Sequence, residues 1–302
     1  MAAITSGNFP KALLPGVKSW YGAEYDLPTY YKMIFDQDDS DKAYEEFVEY
    51  SGLGLAVAKA EGAAISYDSH TQGPTTRLTH STYGLGFIIT EEAIDDNQYT
   101  KLAKSRSKML GRALRQTKEI VHANHFNRAF DSNYVGGDGK EMVATDHPTV
   151  NGTQSNELAV AADLSEVSLE DINIQIMNAT DTRGNRIGLK AKRLIVAPAE
   201  TFNAERILKS NLRSNSAEND INAMKSKGLF PEGIMTWPFL TASTDDWFVE
   251  TDAPEGLKTL QRKVAQVKDD NDFDTSNARF KAQERYVSGW VEWRRIYGSA
   301  GA

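Results

Sequence analysis

The chain of 302 residues contains no cysteine. That excludes disulfides, thiolate metal sites and a cysteine nucleophile, so unusual robustness has to come from burial, from interdigitation or from another covalent chemistry. Long apolar runs are missing too, and no stretch approaches the ~20 residues that cross a bilayer. The opening residues, MAAITSGNFPKALLPG, lack the charged start and apolar core of a signal peptide. The expectation is a soluble chain made inside the cell, without a membrane partner. Nucleotide fingerprints are absent as well. Gly84-x-Gly86 and Gly136-Gly137-x-Gly139 are too short, and neither has the preceding strand and following helix that a phosphate cradle needs. Hydrophobic residues make up 40% of the chain, enough to core one large domain or two modest ones, so the chain is not read as disordered.

What the chain does have is segregated charge. Between Gln98 and Arg128, eight cations (Lys101, Lys104, Arg106, Lys108, Arg112, Arg115, Lys118 and Arg128) stand against one acid, Glu119. That segment carries +7 while the chain carries -8, which leaves about -15 on the remainder. An acidic balance argues against general nucleic-acid binding, but a local basic face survives the argument. The same stretch, Gln98 to Asp131, has the strongest helical period in the sequence. Tyr99, Leu102, Ala103, Met109, Leu110, Ala113, Leu114, Thr117, Ile120 and Val121 form one stripe, with Lys101, Lys104, Lys108, Arg112 and Arg115 opposite. A short acidic turn leads in from Thr90. The basic face has two readings, a solvated surface or one that faces phosphate or an acidic partner.

Ahead of this helix, residues 1–51 mix Phe9, Trp20, Tyr21, Tyr25, Tyr30, Tyr31 and Phe35 with prolines and show no sustained period. Their rings must be buried on the chain's own core or on a neighbour, and composition leaves both open. A short amphipathic helix is predicted at Lys42–Tyr50. From Leu53 to Thr90 the period falls to two, with Ile65 and Tyr67 in one arm, Tyr83, Leu85, Phe87 and Ile89 in the other, and Ser69–Pro74 as a polar tip. This predicts a long hairpin.

Beyond the helix, Asn133–Asn156 is a loop by composition. A helix is predicted over Ser165–Ala179, with Ser168 as N-cap, Asp171 as its capping partner and Leu169, Ile172 and Ile176 buried. A buried strand at Arg193–Pro198 and a helix over Ala199–Ser210 complete an α/β lobe. Trp237-Pro238-Phe239 returns the chain to a core, Asp246–Val249 is a strand, and two long strands flank an acidic turn at Asp269–Asp272.

The five histidines are the candidates for chemistry, and none sits in a complete motif. Glu119-x-x-His122, with His125 beyond, is half of a di-iron carboxylate motif whose other half is missing, and the helical wheel puts it on or beside the basic face. His70 and His80 read as exposed hairpin residues. Asp146-His147 before Pro148 reads as a turn, with no Gly-x-Ser-x-Gly elbow to make it a dyad. No catalytic residue, metal or cofactor is expected, and a histidine-dependent metal or hydrolytic enzyme is the weakest alternative.

Five stretches carry a family likeness by their joint order: YGLGFIITEEAIDDNQY, NHFNRAF, DGKEMVATDHP, LIVAPAETFNAERILKS and RYVSGWVEWRRIYGS. The chain resembles tailed-phage major capsid proteins with the Hong Kong 97-type fold, most of all the Mu-type major head subunits. The resemblance implies an α+β fold. Its parts would be an N-terminal arm (1–51), an extended hairpin or E-loop (52–90), a peripheral domain with a spine helix (91–164), an axial domain (165–245) and returning strands (246–302). It implies hexamers and pentamers of an icosahedral shell around double-stranded DNA, assembled in the host cytoplasm as part of the virion. A portal, a separate scaffolding protein and an optional decoration protein would be the partners, since the arm is too short to carry a fused scaffold.

It also implies subunit contacts through Trp20, Tyr21, Tyr30 and Tyr31 of the arm and Ile65, Tyr67, His70, Arg77 and Tyr83 of the hairpin. The basic face of Lys101, Lys104, Lys108, Arg112 and Arg115 would look toward the lumen. The lysine–asparagine cross-link of one family member is not expected, because Lys59 is the only hairpin lysine, is not at the predicted tip, and has no identifiable acceptor. An encapsulin-like nanocompartment shell is the alternative on the same fold.

Overall fold

A computed structural model of the chain describes residues 10–90, 92–93, 99–212, 221–271 and 277–302. The arm begins as helix α1 (Pro10–Tyr25), whose Val17 and Tyr21, one turn apart, face inward. A short strand β1 (Asp36–Asp39) follows and runs parallel to a strand near the C-terminus. Lys42–Tyr50, expected as a helix, forms strand β2 (Tyr44–Tyr50) instead. It pairs antiparallel with β3 (Gln72–Thr79), so that Val48, Phe47 and Tyr44 lie opposite Thr75, Thr76 and Thr79. β-branched partners across a ladder favour the extended form over a helix that has no neighbour to bury its face.

The predicted hairpin does not form between its expected arms: the ribbon that forms joins β2 to β3, and Tyr83–Ile89 pairs with Ala278–Glu284 instead. Ile65 and Tyr67 lie in neither β2 nor β3. Residues 52–71 make an exposed excursion, here called the finger, closed at its base by Ser51 and Thr71 and turned at Ala60–Ala63, where Gly62 adopts φ +76°. The tip is thus at 60–63 rather than 69–74, and Lys59 adjoins it, which removes one of the grounds for expecting no cross-link. Strand β4 (Ser81–Ile89) leaves the ribbon after a single intervening residue, His80, and pairs with the C-terminal region.

Helix α2 (Tyr99–Asn127) is the spine, 29 residues long and so roughly 43 Å from end to end. The acidic turn expected before it falls mainly on residues 91 and 94–98, outside the described residues. Past the loop and the small β5 (His147–Thr149) and β6 (Gly152–Gln154) pair comes helix α3 (Glu166–Met177). Leu169, Ile172 and Ile176 are buried as expected, but the N-cap is Ser165. Its hydroxyl accepts from the Ser168 backbone N–H while the Ser168 hydroxyl accepts from Ser165 N–H, so the reciprocal box sits one turn earlier than predicted.

Strand β7 (Ala191–Val196), helices α4 (Thr201–Lys209) and α5 (Ala223–Lys227), and strands β8 (Ile234–Thr236) and β9 (Trp247–Thr251) complete the middle of the chain. Two long strands, β10 (Leu257–Asn271) and β11 (Ala278–Trp290), and a short β12 (Ile296–Ser299) close it. β10 continues through Asp269 and Asp270 to Asn271, later than the expected turn; residues 272–276 are outside the described set.

Two four-stranded sheets result, ordered β1-β10-β11-β4 and β12-β9-β7-β8. The long sheet packs against α1 and the first half of the spine through Val17, Tyr21, Ala103, Leu110, Leu114, Val267, Ala278, Phe280 and Ala282. The second sheet is buried on both faces, which is why its strands read as continuous apolar runs. Ile195 and Phe248 meet the far end of the spine at Ala123 and Phe126, with Trp237, Trp290 and Trp293. Leu194, Val196, Trp247 and Val249 point the other way, into a core covered by α3 and α4.

The arm crosses the spine at Gly111. A Cβ there would lie 2.6 Å from the Tyr21 carbonyl oxygen and 3.3 Å from the Tyr25 nitrogen, a contact that only glycine permits. Gly111→Val is therefore expected to push α1 off the spine and lower stability by about 1–3 kcal/mol. Thermal melting reads it, and an unchanged midpoint would contradict the close crossing.

Candidate assembly surfaces

A shell subunit needs side chains left unspent by its own fold, and the expected contact residues divide on that test. In the arm, Tyr21 and Tyr31 are 5% and 3% exposed, sealed against the spine and the long sheet of their own chain. Both are withdrawn as subunit contacts, because they have no surface left to give. Tyr30 is 39% exposed, while Trp20 is half-buried. The arm is fixed further by the Tyr25 hydroxyl, which donates to Glu284 Oε2 at 2.7 Å, and by Tyr30 N–H, which donates to Glu119 Oε1. Burial and the neighbouring Glu284 carboxylate hold the Tyr25 phenol above its ordinary pKa.

The basic face is not one free surface. Lys101 and Lys104 are exposed, but Lys108 and Arg112 reach Glu24 of α1 at 4.0 and 3.6 Å. Such solvent-exposed pairs contribute at most about 1 kcal/mol each, yet they turn two of the five cations toward the arm. Arg115 is half-buried, with its Nε unpartnered, in a cleft of about 480 Å³ lined by Tyr31, Lys32 and Lys118.

The finger is the opposite case. Leu53, Leu55, Val57, Ile65 and Tyr67 are all exposed, Val57 at 77% and Tyr67 at 93%. They alternate with Gly, Ala or Ser, so each leg presents large apolar groups with nothing covering them. Arg183 clasps the base by pairing with Asp68 at 2.6 Å and donating to the Ser69 carbonyl, while Gly54 N–H donates to the same carboxylate. These contacts and the Ser69 N–H, which also donates to Asp68, hold its carboxyl below its usual range, the Gly54 and Ser69 N–H groups being the main cause. His70 is exposed and meets Tyr50 edge-on. Arg77 lies 3.7 Å from the ring centroid of exposed Tyr44, and half-buried Tyr83 stacks on Tyr286 at 4.7 Å, so both also make contacts within their own subunit.

A family model described as "Phage capsid protein" matches residues 73–299. The chain belongs to the phage capsid protein family. As a member it is a major capsid protein, a structural subunit of an icosahedral shell. Solved structures agree on the fold, which is of the Hong Kong 97 type. The capsid of an empty GTA particle is 11% identical with a TM-score of 0.56, over 90% of this chain and 89% of that one. The virus-like particle from Pyrococcus furiosus is 10% identical at 0.52, over 94% and 98%. The capsid of Myoviridae phage XM1 is 12% identical at 0.50, over 89% of each. At such identities the likeness is one of fold. No curated protein matches the chain.

In this capsid protein four of the five histidines are packed within the subunit, and His70 is exposed. Glu119 and His122 are buried rather than on the basic face, because the spine is covered on that side by Tyr31, Trp237 and Tyr286. His122 Nδ1 lies 2.6 Å from the Lys118 carbonyl, to which it donates, so Nε2 accepts from the Thr259 hydroxyl at 2.8 Å. His125 meets Ser288 at 2.9 Å. His147 stacks on Trp293 and sits between Asp138 and Asn156, whose amide nitrogen donates to the carbonyls of Met142, Trp293 and Ile296. His80, expected in solvent, is 5% exposed. Among the described residues no group of three His, Asp or Glu side chains is placed to hold a metal ion.

The alternation along β11 (Ala278, Phe280, Ala282, Glu284, Tyr286) already placed Glu284 on the buried side, a signal that sequence reasoning passed over. Nothing in the sequence marked Asn156.

Burial pushes the imidazole of His122 down to about 3 and that of His125 to about 4. Both are neutral when folded and take up protons on unfolding near their ordinary 6.5, so their contribution is complete above pH 6.5 and declines as pH falls below it. The melting temperature should fall steadily from pH 6.5 to 4.5, and His125→Gln should flatten that slope. A profile flat in the parent protein would contradict the neutral buried pair.

Proposed function

We propose that this capsid protein forms hexamers and pentamers of a shell that encloses double-stranded DNA, and that the finger is its principal contact with the neighbouring subunit. The observation that carries this is the run of exposed, alternating apolar side chains at 53–57 and 65–67 on a finger clasped only at its base. Apolar surface of that extent is stable in a soluble chain when a partner covers it. Lys101 and Lys104 of the spine are offered as the lumen-facing cations, holding phosphate by nonspecific electrostatics.

The units map onto this reading. The long sheet with the spine would be the peripheral domain, and the second sheet with α3 and α4 the axial domain. A separate scaffolding protein and a portal would assist assembly in the host cytoplasm, with a decoration protein as an optional addition. The stretches quoted above support placement beside the Mu-type head subunits. We assign the histidines structural roles and infer no catalysis. A nanocompartment shell is the alternative on this fold, and the phage capsid family match favours the viral reading. Nuclease-protected DNA in particles from the natural source separates the two.

The test is self-assembly. The purified protein should scatter light as rings or shells far above 33.5 kDa. Leu55→Ser, Val57→Ser and Tyr67→Ser combined should leave a monomer with an unchanged melting temperature, because these side chains touch little within the subunit. A parent protein that stays monomeric at high concentration, or a triple variant that assembles normally, would overturn the assignment.

A further inference from the structure

His80 is a single residue between two sheets. Thr79 before it pairs with Tyr44 in the β2–β3 ribbon, and Ser81 after it pairs with Tyr286 in the long sheet. The ribbon and the long sheet share no ladder. The ribbon is instead seated on the long sheet by packing: Leu78 fills the space over Gly289 of β11, where a Cβ would lie 2.4 Å from its methyl carbon. The backbone N–H of His80 donates to the Ala43 carbonyl, which ties the hinge to the start of β2. The ribbon's other connection to the long sheet is residues 40–43, between β1 and β2, and the His80 N–H ties the two connections together, so a change in the angle of the ribbon, and of the finger it carries, moves His80.

The ring is 5% exposed, and neither of its nitrogens has a hydrogen-bond partner. Two stripped polar atoms at a hinge are a standing cost that a phenyl or a leucine would not incur. The charged groups facing the ring are Arg285 of β11, Arg262 of β10 and Glu45 of β2. Glu45 is already engaged by the Ser40 hydroxyl and Lys42. A neutral imidazole tolerates this place. An imidazolium there would have no partner of its own and two guanidinium groups nearby. We propose that His80 is a proton-sensitive hinge pin: when its ring takes up a proton, the seat of the ribbon on the long sheet loosens and the ribbon and finger are free to pivot.

The direction follows from burial first, then Arg285 and Arg262, all of which hold the imidazole below its ordinary 6.5. The seated state binds the proton less well than the open one, so seating is complete above pH 6.5 and weakens as pH falls below it. The clasp at the finger's base does not share this window. Asp68 is held below the ordinary carboxylate range, so it stays charged and paired with Arg183 while the hinge titrates. The device belongs to one subunit and stands or falls independently of shell formation.

Hydrogen–deuterium exchange on the full-length protein tests it, with labelling times scaled for intrinsic exchange at pH 7.5, 6.5 and 5.5. Amides of 44–50 and 72–79 should lose protection several-fold between pH 6.5 and 5.5 relative to those of 257–271 and 278–290. One proton limits that change to about tenfold per pH unit. His80→Gln, and His80→Phe as a second neutral replacement in case the amide disturbs the seat, should each remove the pH response. Ribbon protection that is unchanged across this range in the parent protein, or that falls equally in both variants, would overturn the proposal.

Discussion

One buried carboxylate fixes the geometry on which the rest depends. Glu284 of β11 is fully buried, and its Oε2 accepts from the Tyr25 hydroxyl of α1 and from the Lys118 ammonium of the spine at 3.4 Å. Lys118 also lies 4.7 Å from the Tyr286 ring centroid and donates to the Gln261 side chain of β10. Arm, spine and both long strands thus share one charge in a place where an unpaired ion costs several kcal/mol. Such a cluster contributes less to net stability than to uniqueness, because a displaced arm leaves Glu284 short of partners.

A second ionic knot performs the same task at the other end. Arg193 of β7 and Arg295 reach the two oxygens of buried Glu250 of β9 at 3.0 and 2.9 Å, and Arg193 also pairs with Glu232. Between the knots, the aromatic core of Phe126, Trp237, Phe248 and Trp293 joins the end of the spine to the second sheet. The functional consequence is a contrast in one molecule. The body is cross-braced, whereas the finger is clasped at its base by one ion pair and is otherwise exposed, so adaptation to a neighbour falls to the finger.

Much of this was legible because period reports burial. The spine, the two-sided strand at 191–196 and the long returning strands each announced themselves by spacing, and the family likeness added their order. The failures have physical causes. Tyr44, Phe47 and Val48 fit a helical face and a strand equally well over seven residues, and only the ladder to Thr75–Thr79 decides. Period two identifies a strand and its inward face but not its partner, so β4 was read as a hairpin arm when it belongs with β11. Ser165-x-x-Ser168 and Ser168-x-x-Asp171 are competing capping boxes, and the burial of Leu169 selects the first. Whether Tyr21 and Tyr31 meet their own core or a neighbour's was undecidable in one dimension, because the answer lies in Gly111 and Glu284, far along the chain.

The central claim is that the arm docks on the spine of its own subunit. Because the chain has no cysteine, the paired variant Glu24→Cys, Lys108→Cys places thiols at the Glu24–Lys108 contact between α1 and α2, free of background. Treated with a short bis-maleimide in the assembled state, it should yield a single product of monomer mass that is cross-linked internally. A ladder of dimers and higher multimers would mean that the arm crosses to a neighbour, and would contradict the account.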